Sequence, residues 1–130
     1  MAGTIVADTI QNGTGTSTSM NNVIYGSAKA WVKFNSSGTI SSSFNVSSIT
    51  VNSTGYYTVN LTTAMANANY SAIATTTATA SSNGNICATV FTDNTSADIA
   101  PTTTTYTINT GVFGVGNYAT RSVCTAVFAS

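Results

Sequence analysis

Short runs of alternating apolar and polar residues dominate the chain from residue 27 onward. The runs are rich in Val, Ile, Thr, Tyr and Phe and are bounded by Gly, Asn and Ser, which is typical of β-strands joined by turns. In the run YYTVNLTT, Tyr57, Val59 and Leu61 fall on one side, the pattern of a half-buried antiparallel strand. The alternation predicts seven strands, over residues 28–34, 44–51, 56–62, 70–79, 86–92, 102–109 and 122–128.

Turn residues separate these runs: NSSG at 35–38, NSTG at 52–55, NAN at 67–69 and SSNGN at 81–85. The Asn83-Gly84 pair is the strongest hairpin signal. Strands at a spacing of about ten residues predict an all-β fold, an antiparallel β-sandwich of jelly-roll-like type. No stretch has convincing helical periodicity, and residues 62–69 have room for one helical turn at most.

The first 22 residues differ from the rest because Gly and Thr interrupt their single apolar patch, Thr4 to Ile10. We therefore expect an extended N-terminal arm over residues 1–22, ordered on a partner chain or another subunit, and a β-sandwich domain over residues 23–130. The arm lacks the basic and apolar regions of a secretory signal, and apolar runs stay below the length that crosses a bilayer. We expect no export signal and no membrane insertion.

Composition narrows the possible partners of this 130-residue chain. Charged residues make up 5% of it, and three cations balance three aspartates, so the net charge is zero. Nucleic-acid binding is not expected, because it needs a basic surface that neutralises phosphates. Hydrophobic residues make up 42%, too many for a disordered chain. A neutral surface of Ser, Thr and Asn has little charge repulsion between copies, so we expect self-association.

Candidate catalytic groups are few because the chain contains neither His nor Glu. Asp93 and Asp98 lie in TDNTSAD, where a turn role is favoured over a carboxylate pair for glycoside cleavage or a weak calcium site. A Ser/Lys arrangement stays open but has no supporting motif. The glycines of GVFGVG at 111–116 predict a bulged or tight connection, or close chain packing, rather than a phosphate loop. We predict a protein that is not an enzyme and uses no cofactor or metal.

Two cysteines, Cys87 and Cys124, each precede a phenylalanine by four positions. In a strand that spacing places each pair on one face, and we expect the core face. Buried thiols that act as small hydrophobes are favoured over a disulfide.

The stretch GSAKAWVKFN contains two of the three cations, on either side of the only tryptophan. In a strand, Lys29, Trp31 and Lys33 share the outward face. The intervening residues face the core: Ala30, Val32 and Phe34. The outward face is either solvent-facing, with lysine stems over the ring and a cation–π contact worth about 0.5–1 kcal/mol, or a contact surface. On an edge strand its charges would also oppose stray pairing. Structural cover or packing between subunits is favoured over a platform for sugars.

Most of the chain, outside residues 93–120, resembles small virion proteins and tail-fibre tips of tailed bacteriophages, especially marine and cyanobacterial phages. The segments that carry the resemblance are GTIVADTIQNGTGTSTSMNNVIYGSAKAWVKFN, SFNVSSITVNSTGYYTVNLTTAMANANYS and RSVCTAVF, densest at K-A-W-V-x-F and G-x-Y-T-V-N-x-T-T-A-M. The resemblance implies a trimeric antiparallel β domain at a fibre or spike tip, located in the virion and assembled in the host cytoplasm. It also implies an arm bound to other virion proteins and contact with host surface glycans, and it brings no catalytic residues.

Two other functions stay open. A capsid decoration protein, either a cement protein or a head fibre, would have the same composition and the same arm. A depolymerase is disfavoured because the carboxylate pairs that glycoside cleavage needs are missing.

Overall fold

The computed structural model describes residues 3, 6–77, 86–93, 95, 97–112 and 116–129. These residues form eleven β-strands and one short α-helix, and every strand pairing is antiparallel, so the fold is all-β. In chain order the elements are β1 (Thr9–Gln11), β2 (Ser17–Ser19), α1 (Met20–Gly26), β3 (Ala30–Phe34), β4 (Ile40–Phe44), β5 (Val46–Ser53), β6 (Tyr56–Leu61), β7 (Ser71–Thr76), β8 (Ile86–Val90), β9 (Thr105–Val112), β10 (Gly116–Asn117) and β11 (Val123–Phe128).

The strands are arranged in a small hairpin and two larger sheets. Strands β1 and β2 form the hairpin. Sheet I has the order β4-β3-β11-β7. Sheet II has the order β5-β6-β9-β8, because β6 and β8 pair with the same residues of β9 and must lie on its opposite edges. The short β10 continues along the β6 edge of β9, at Gly111 and Val112.

The inward faces of sheets I and II share one core. In β3, β6 and β11 alternate side chains are buried, as the period-2 pattern predicts. The Phe34 ring of sheet I packs edge-on against Tyr57 of sheet II, with ring centroids 5.1 Å apart. The Tyr106 hydroxyl of β9 donates to Thr125 Oγ1 of β11 at 3.3 Å. Apolar burial of about 1.5–3 kcal/mol for each large side chain therefore holds the two sheets together.

Asn45 forms the corner where the chain leaves β4 in sheet I and enters β5 in sheet II. Its φ of 56° is left-handed, a conformation that Asn tolerates better than most residues. Its side-chain amide donates to the carbonyls of Lys29 at 3.1 Å and Thr63 at 3.2 Å, and its Oδ1 accepts from the Thr63 N–H at 2.7 Å. One side chain thus fixes the corner to the start of β3 and to the segment after β6.

Turn chemistry is confirmed at the two turns that end in glycine. In NSSG, Asn35 Oδ1 accepts from the N–H groups of Ser37 and Thr39, and the closing glycine has a φ of 78°. In NSTG, Gly55 has a φ of 73°, and a Cβ there would lie 2.5 Å from the Thr110 carbonyl oxygen. In GVFGVG, Gly111 and Gly116 approach closely, since a Cβ on Gly111 would lie 2.7 Å from the Gly116 oxygen. The predicted Asn83-Gly84 hairpin lies outside the described residues.

Several elements were not predicted from the sequence. Strand β4 has the sequence ISSSF, whose three serines have no alternation. Helix α1 crosses the expected boundary between arm and domain at residue 22, and the hairpin lies within the expected arm. The helix begins after Ser19, whose side chain accepts from the Asn22 N–H, and its seven residues, none of them buried, are too few for helical periodicity to stand out in the sequence. Within the described ranges no helix has the length and hydropathy needed to cross a membrane.

Candidate functional site

The outward face predicted for the Lys-Trp-Lys stretch is observed on β3. Burial alternates along the strand, so that Ala30, Val32 and Phe34 are inside while Trp31 and Lys33 are exposed. Trp31 keeps 39% of its surface accessible. This outer face of sheet I is the candidate functional site.

Lys29 precedes β3, and its ammonium contacts helix α1. Its backbone N–H donates to the Val127 carbonyl at 2.8 Å, which extends the β3–β11 pairing by one residue. Its ammonium donates to the Ile24 carbonyl in the last turn of α1 and to Ser27 Oγ at 3.4 Å. A cation at a helix C-terminus is electrostatically favourable. Lys29 therefore fastens α1 to the edge of the outer face, and Lys33 is left as the exposed cation of the stretch.

Trp31 belongs to a row of apolar side chains that crosses sheet I. In the strand register, Phe44 of β4 is opposite Trp31, Trp31 is opposite Ala126 of β11, and Ala126 is opposite Ile73 of β7. We call Phe44, Trp31, Ala126 and Ile73 the apolar row. Phe44 is 55% exposed and Ile73 is 57% exposed. The sequence did not predict the row, because its members come from four strands whose register only the fold defines.

A polar row lies next to the apolar row on the same face, two residues along each strand. Its members pair across the sheet in the order Ser42, Lys33, Cys124 and Thr75. Between the two rows, a shallow depression of ≈ 160 Å³ is lined by residues of β7 and β11, among them Ile73 and Cys124. Edge protection by the lysines depended on an edge position for β3. Strand β3 lies inside sheet I, between β4 and β11, so its lysines do not protect a sheet edge.

The prediction that both cysteines face the core is wrong: Cys87 is exposed, and Cys124 is half-buried on the outer face of sheet I, and both are free thiols. On β11 the core-facing positions are those of Val123 and its alternates, which places Cys124 on the outer face. On β8 the alternation ends at Phe91, whose φ of 61° redirects the chain. The Phe91 ring therefore reaches the core beside Tyr70 while Cys87 faces out.

Asp93 and Asp98 occupy turn positions, as favoured from the sequence. Asp93 Oδ1 accepts from the Thr95 N–H, the Thr95 hydroxyl and the Ala97 N–H. The Thr95 hydroxyl and these N–H groups lower the pKa of Asp93. Asp98 forms a β-bridge with Thr92 across the same loop. Among the described residues no cluster of three metal-ligating side chains is found.

A second polar surface lies on the outer face of sheet II. The Asn60 amide on β6 donates to Ser48 Oγ and Thr50 Oγ1 of β5, each at 3.1 Å. Asn52 donates to Thr58 Oγ1 at 2.8 Å. This ladder of uncharged amides and hydroxyls presents donors and acceptors to solvent. The sequence analysis missed this ladder, although the segment TVN occurs on both β5 (residues 50–52) and β6 (residues 58–60) and could have indicated it.

The two sheets thus differ in the chemistry of their outer faces. Sheet I offers an apolar row bordered by polar groups, and sheet II offers hydrogen-bonding side chains on a rigid backbone. Both arrangements are suited to binding. Searches against protein-family models, curated proteins and solved structures find no match to this chain.

Proposed function

We propose that this chain is a non-enzymatic structural protein of a bacteriophage virion, of the tail-fibre or receptor-binding type, which presents a trimeric β domain for attachment to the host surface. The observation that carries the proposal is the exposed apolar row, because a contiguous apolar surface on a rigid sheet marks an interaction site. The row includes Trp31 of the K-A-W-V-x-F segment, where the resemblance to phage fibre tips is densest.

The proposal includes a jelly-roll-like sandwich. In support, the chain passes between sheets I and II after β4, after β6, after β7 and before β11. Strands β3 and β11, the first and last of the two large sheets, are neighbours. Repeated crossing between two antiparallel sheets is typical of jelly rolls.

The N-terminal segment, residues 1–22, serves in this proposal as the arm that binds other virion proteins. In the described part of this segment the side chains are exposed or half-buried, and the hairpin β1–β2 contributes no member to the core. A surface hairpin with free polar edges is suited to docking on another protein.

In this proposal the protein contacts the host by binding surface glycans through uncharged side chains. The ladder on sheet II presents amide and hydroxyl groups that match the hydroxyls of sugars in hydrogen-bonding capacity.

The location in the virion is tested by labelling intact particles with an antibody against this chain under the electron microscope. Label at the tail or at fibre tips supports receptor binding. An absence of label from purified particles would contradict a virion role altogether.

Label spread over the head would instead favour the second candidate, a capsid decoration protein. The observation in favour of this alternative is the neutral surface combined with an exposed hairpin, which suits a subunit seated on a lattice as well as one at a fibre tip. Phage particles that lack the protein should then lose capsid integrity faster on heating.

Attachment itself is tested by staining host cells with purified labelled protein. Trp31→Ala reduces staining if the outer face of sheet I contacts the host, and Tyr118→Ala is the matched control because Tyr118 is an exposed aromatic outside this face. Normal staining by Trp31→Ala would assign the face to packing between subunits instead. Wild-type protein that stains no host cell would contradict the attachment role.

A further inference from the structure

We infer that the outer face of sheet I is the surface on which copies of this chain pack against one another. The inference deepens the proposed function and depends on it only for the number of copies, taken as three. The surface consists of the apolar row, the polar row beside it and helix α1.

The first argument is the continuity of exposed apolar groups. The apolar row has one member on each of the four strands of sheet I, three of them large and exposed, and large exposed side chains also occur on α1 at Val23, Ile24 and Tyr25. The Lys29 ammonium holds the last turn of α1 beside β3, on the face that carries Trp31. Lys29 therefore connects the helix to the start of the strand that carries Trp31.

The second argument is area. Four strands about 4.8 Å apart, each contributing five or six residues at about 3.3 Å, give a face of roughly 350 Å² in projection. That face, of which the apolar row is one part, is below the roughly 800 Å² per partner of a standard interface, and α1 would have to pack against the partner as well. The apolar row then forms the interface centre, and the polar row with Lys33 forms the rim, the usual division in such contacts.

The third argument identifies the partner as another copy. Within β4, β3, β11 and β7, Lys33 is the only charged side chain, and the whole chain has no net charge, so copies approach without repulsion. A sheet face also packs readily on another sheet face, at about 10 Å.

A sugar is a poorer occupant of this surface. The cross-strand neighbours of Trp31 are Phe44 and Ala126, which offer no side-chain hydrogen bond. Sugar hydroxyls buried there would be left without partners, which is costly. The hydrogen-bonding ladder of sheet II lies on the other side of the core and stays free when sheet I is covered.

The direct test is sedimentation velocity from 1 to 100 µM with single charged substitutions. Phe44→Lys and Ile73→Lys place a charge in the apolar row at positions more than half exposed, which a folded monomer accommodates. Val51→Lys is the matched control, because Val51 is an aliphatic strand residue of sheet II that is 44% exposed. We expect an oligomer for the wild type and for Val51→Lys, and association at least tenfold weaker for both row variants.

The chain carries its own probe for a second readout. Cys124 lies in the polar row, and Cys87 is exposed on sheet II. In Cys87→Ser protein, a thiol reagent should modify Cys124, at the border of the apolar row, at least about threefold more slowly in the oligomer than in the same protein carrying Ile73→Lys. In Cys124→Ser protein, Cys87 should react at the same rate in both backgrounds.

Three outcomes would overturn the inference. These are a wild type that is monomeric at 100 µM, row variants that associate as well as the wild type, and a Cys124 that reacts equally fast in oligomer and monomer. Circular dichroism spectra that match the wild type establish that each variant is folded. The virion role fails separately: an oligomer dissociated by Ile73→Lys, together with unlabelled phage particles, would keep the interface and reject the proposed function.

Discussion

Phe34 and Phe44 lie on neighbouring strands of sheet I and have opposite surroundings. Phe34 is fully buried and packs on Tyr57, whereas Phe44 is exposed in the apolar row. We expect Phe34→Ala to lower the free energy of unfolding by about 3–5 kcal/mol, because it leaves a cavity between the two sheets. The matched change Phe44→Ala should cost less than about 1 kcal/mol in the isolated monomer.

The measurement is urea unfolding at a protein concentration low enough to keep the chain monomeric. Equal losses for the two variants would contradict the placement of Phe34 in the core. At concentrations where copies associate, Phe44→Ala should also weaken association.

Two core tyrosines predict how stability depends on alkaline pH. Burial raises the pKa of Tyr70 and that of Tyr106 to about 12, from an ordinary value of 10.0. A pKa raised by folding means that stability is fully present below pH 10 and falls as pH rises from 10 through 12, because the unfolded chain loses these protons first. We expect melting temperatures to drop over that interval, and less steeply in Tyr70→Phe/Tyr106→Phe. An identical slope in the double variant would contradict the assignment.

For single residues, sequence alternation predicted the inward positions of β3 and β6 correctly and failed at Cys87. Counting alternate residues from Cys87 to Phe91 assumes that the strand continues through Phe91. Strand β8 ends at Val90, and Phe91 has a left-handed φ, so the two side chains do not share a face. A positive φ at a phenylalanine has no signature in the sequence. The role of Lys29 was missed because its partner carbonyl belongs to a seven-residue helix, which is too short to be predicted from periodicity.

The turn between β5 and β6 depends on a glycine that no other residue replaces. Gly55 has a φ of 73°, and a Cβ at this position would lie less than 3 Å from the backbone oxygens of Thr110 and Tyr118. We expect Gly55→Ala to cost at least about 1–3 kcal/mol through backbone strain, with steric conflict in addition. Gly13→Ala in the β1–β2 turn is the control, because nothing lies within 4 Å of a Cβ there.

Thermal unfolding of both variants checks this prediction. A Gly55→Ala protein as stable as Gly13→Ala would show that the β5–β6 turn rearranges without cost. The close approach of β9 to Gly55 makes that outcome hard to reach, because the Gly55 carbonyl also accepts from the Thr110 N–H at 2.7 Å.

Element boundaries were predictable where strands alternate and are punctuated by Asn and Gly, as in β6 and β11. The bounds of β4 could not be predicted, because its three consecutive serines show no apolar–polar alternation and pairing with β3 fixes its position. The bounds of α1 could not be predicted either, because this seven-residue helix is specified by its Ser19 cap and by Lys29 rather than by periodicity. Tertiary partners determine both elements.

For the whole molecule, charge content predicts how self-association responds to salt. Three cations and three anions in 130 residues leave little long-range electrostatics for ions to screen. We expect the association constant to change less than about threefold between 0.05 and 0.5 M sodium chloride, and to rise in sodium sulfate, which strengthens apolar burial. Sedimentation at each salt concentration measures it, and a loss of tenfold or more would indicate an interface built on charges.

The all-β class could be predicted at this scale because composition and alternation agree over most of the chain. The candidate site could be predicted only in part: the outward position of Trp31 followed from its own strand, but its neighbours Phe44, Ala126 and Ile73 come from distant parts of the sequence. A surface made by four strands becomes visible only when their register is known.

The position of β11 has a consequence for synthesis. It fills the gap between β3 and β7, so sheet I stays in two pieces until β11, which follows every other strand of the two large sheets, has been translated. A chain that stops before Val123 leaves Val32 paired on the β4 side alone and Ala72 without its β11 partner, and it leaves the core open to proteases and to other nascent chains. Sheet I therefore closes only after β11 has been synthesised, and a chain that lacks β11 lacks the complete outer face.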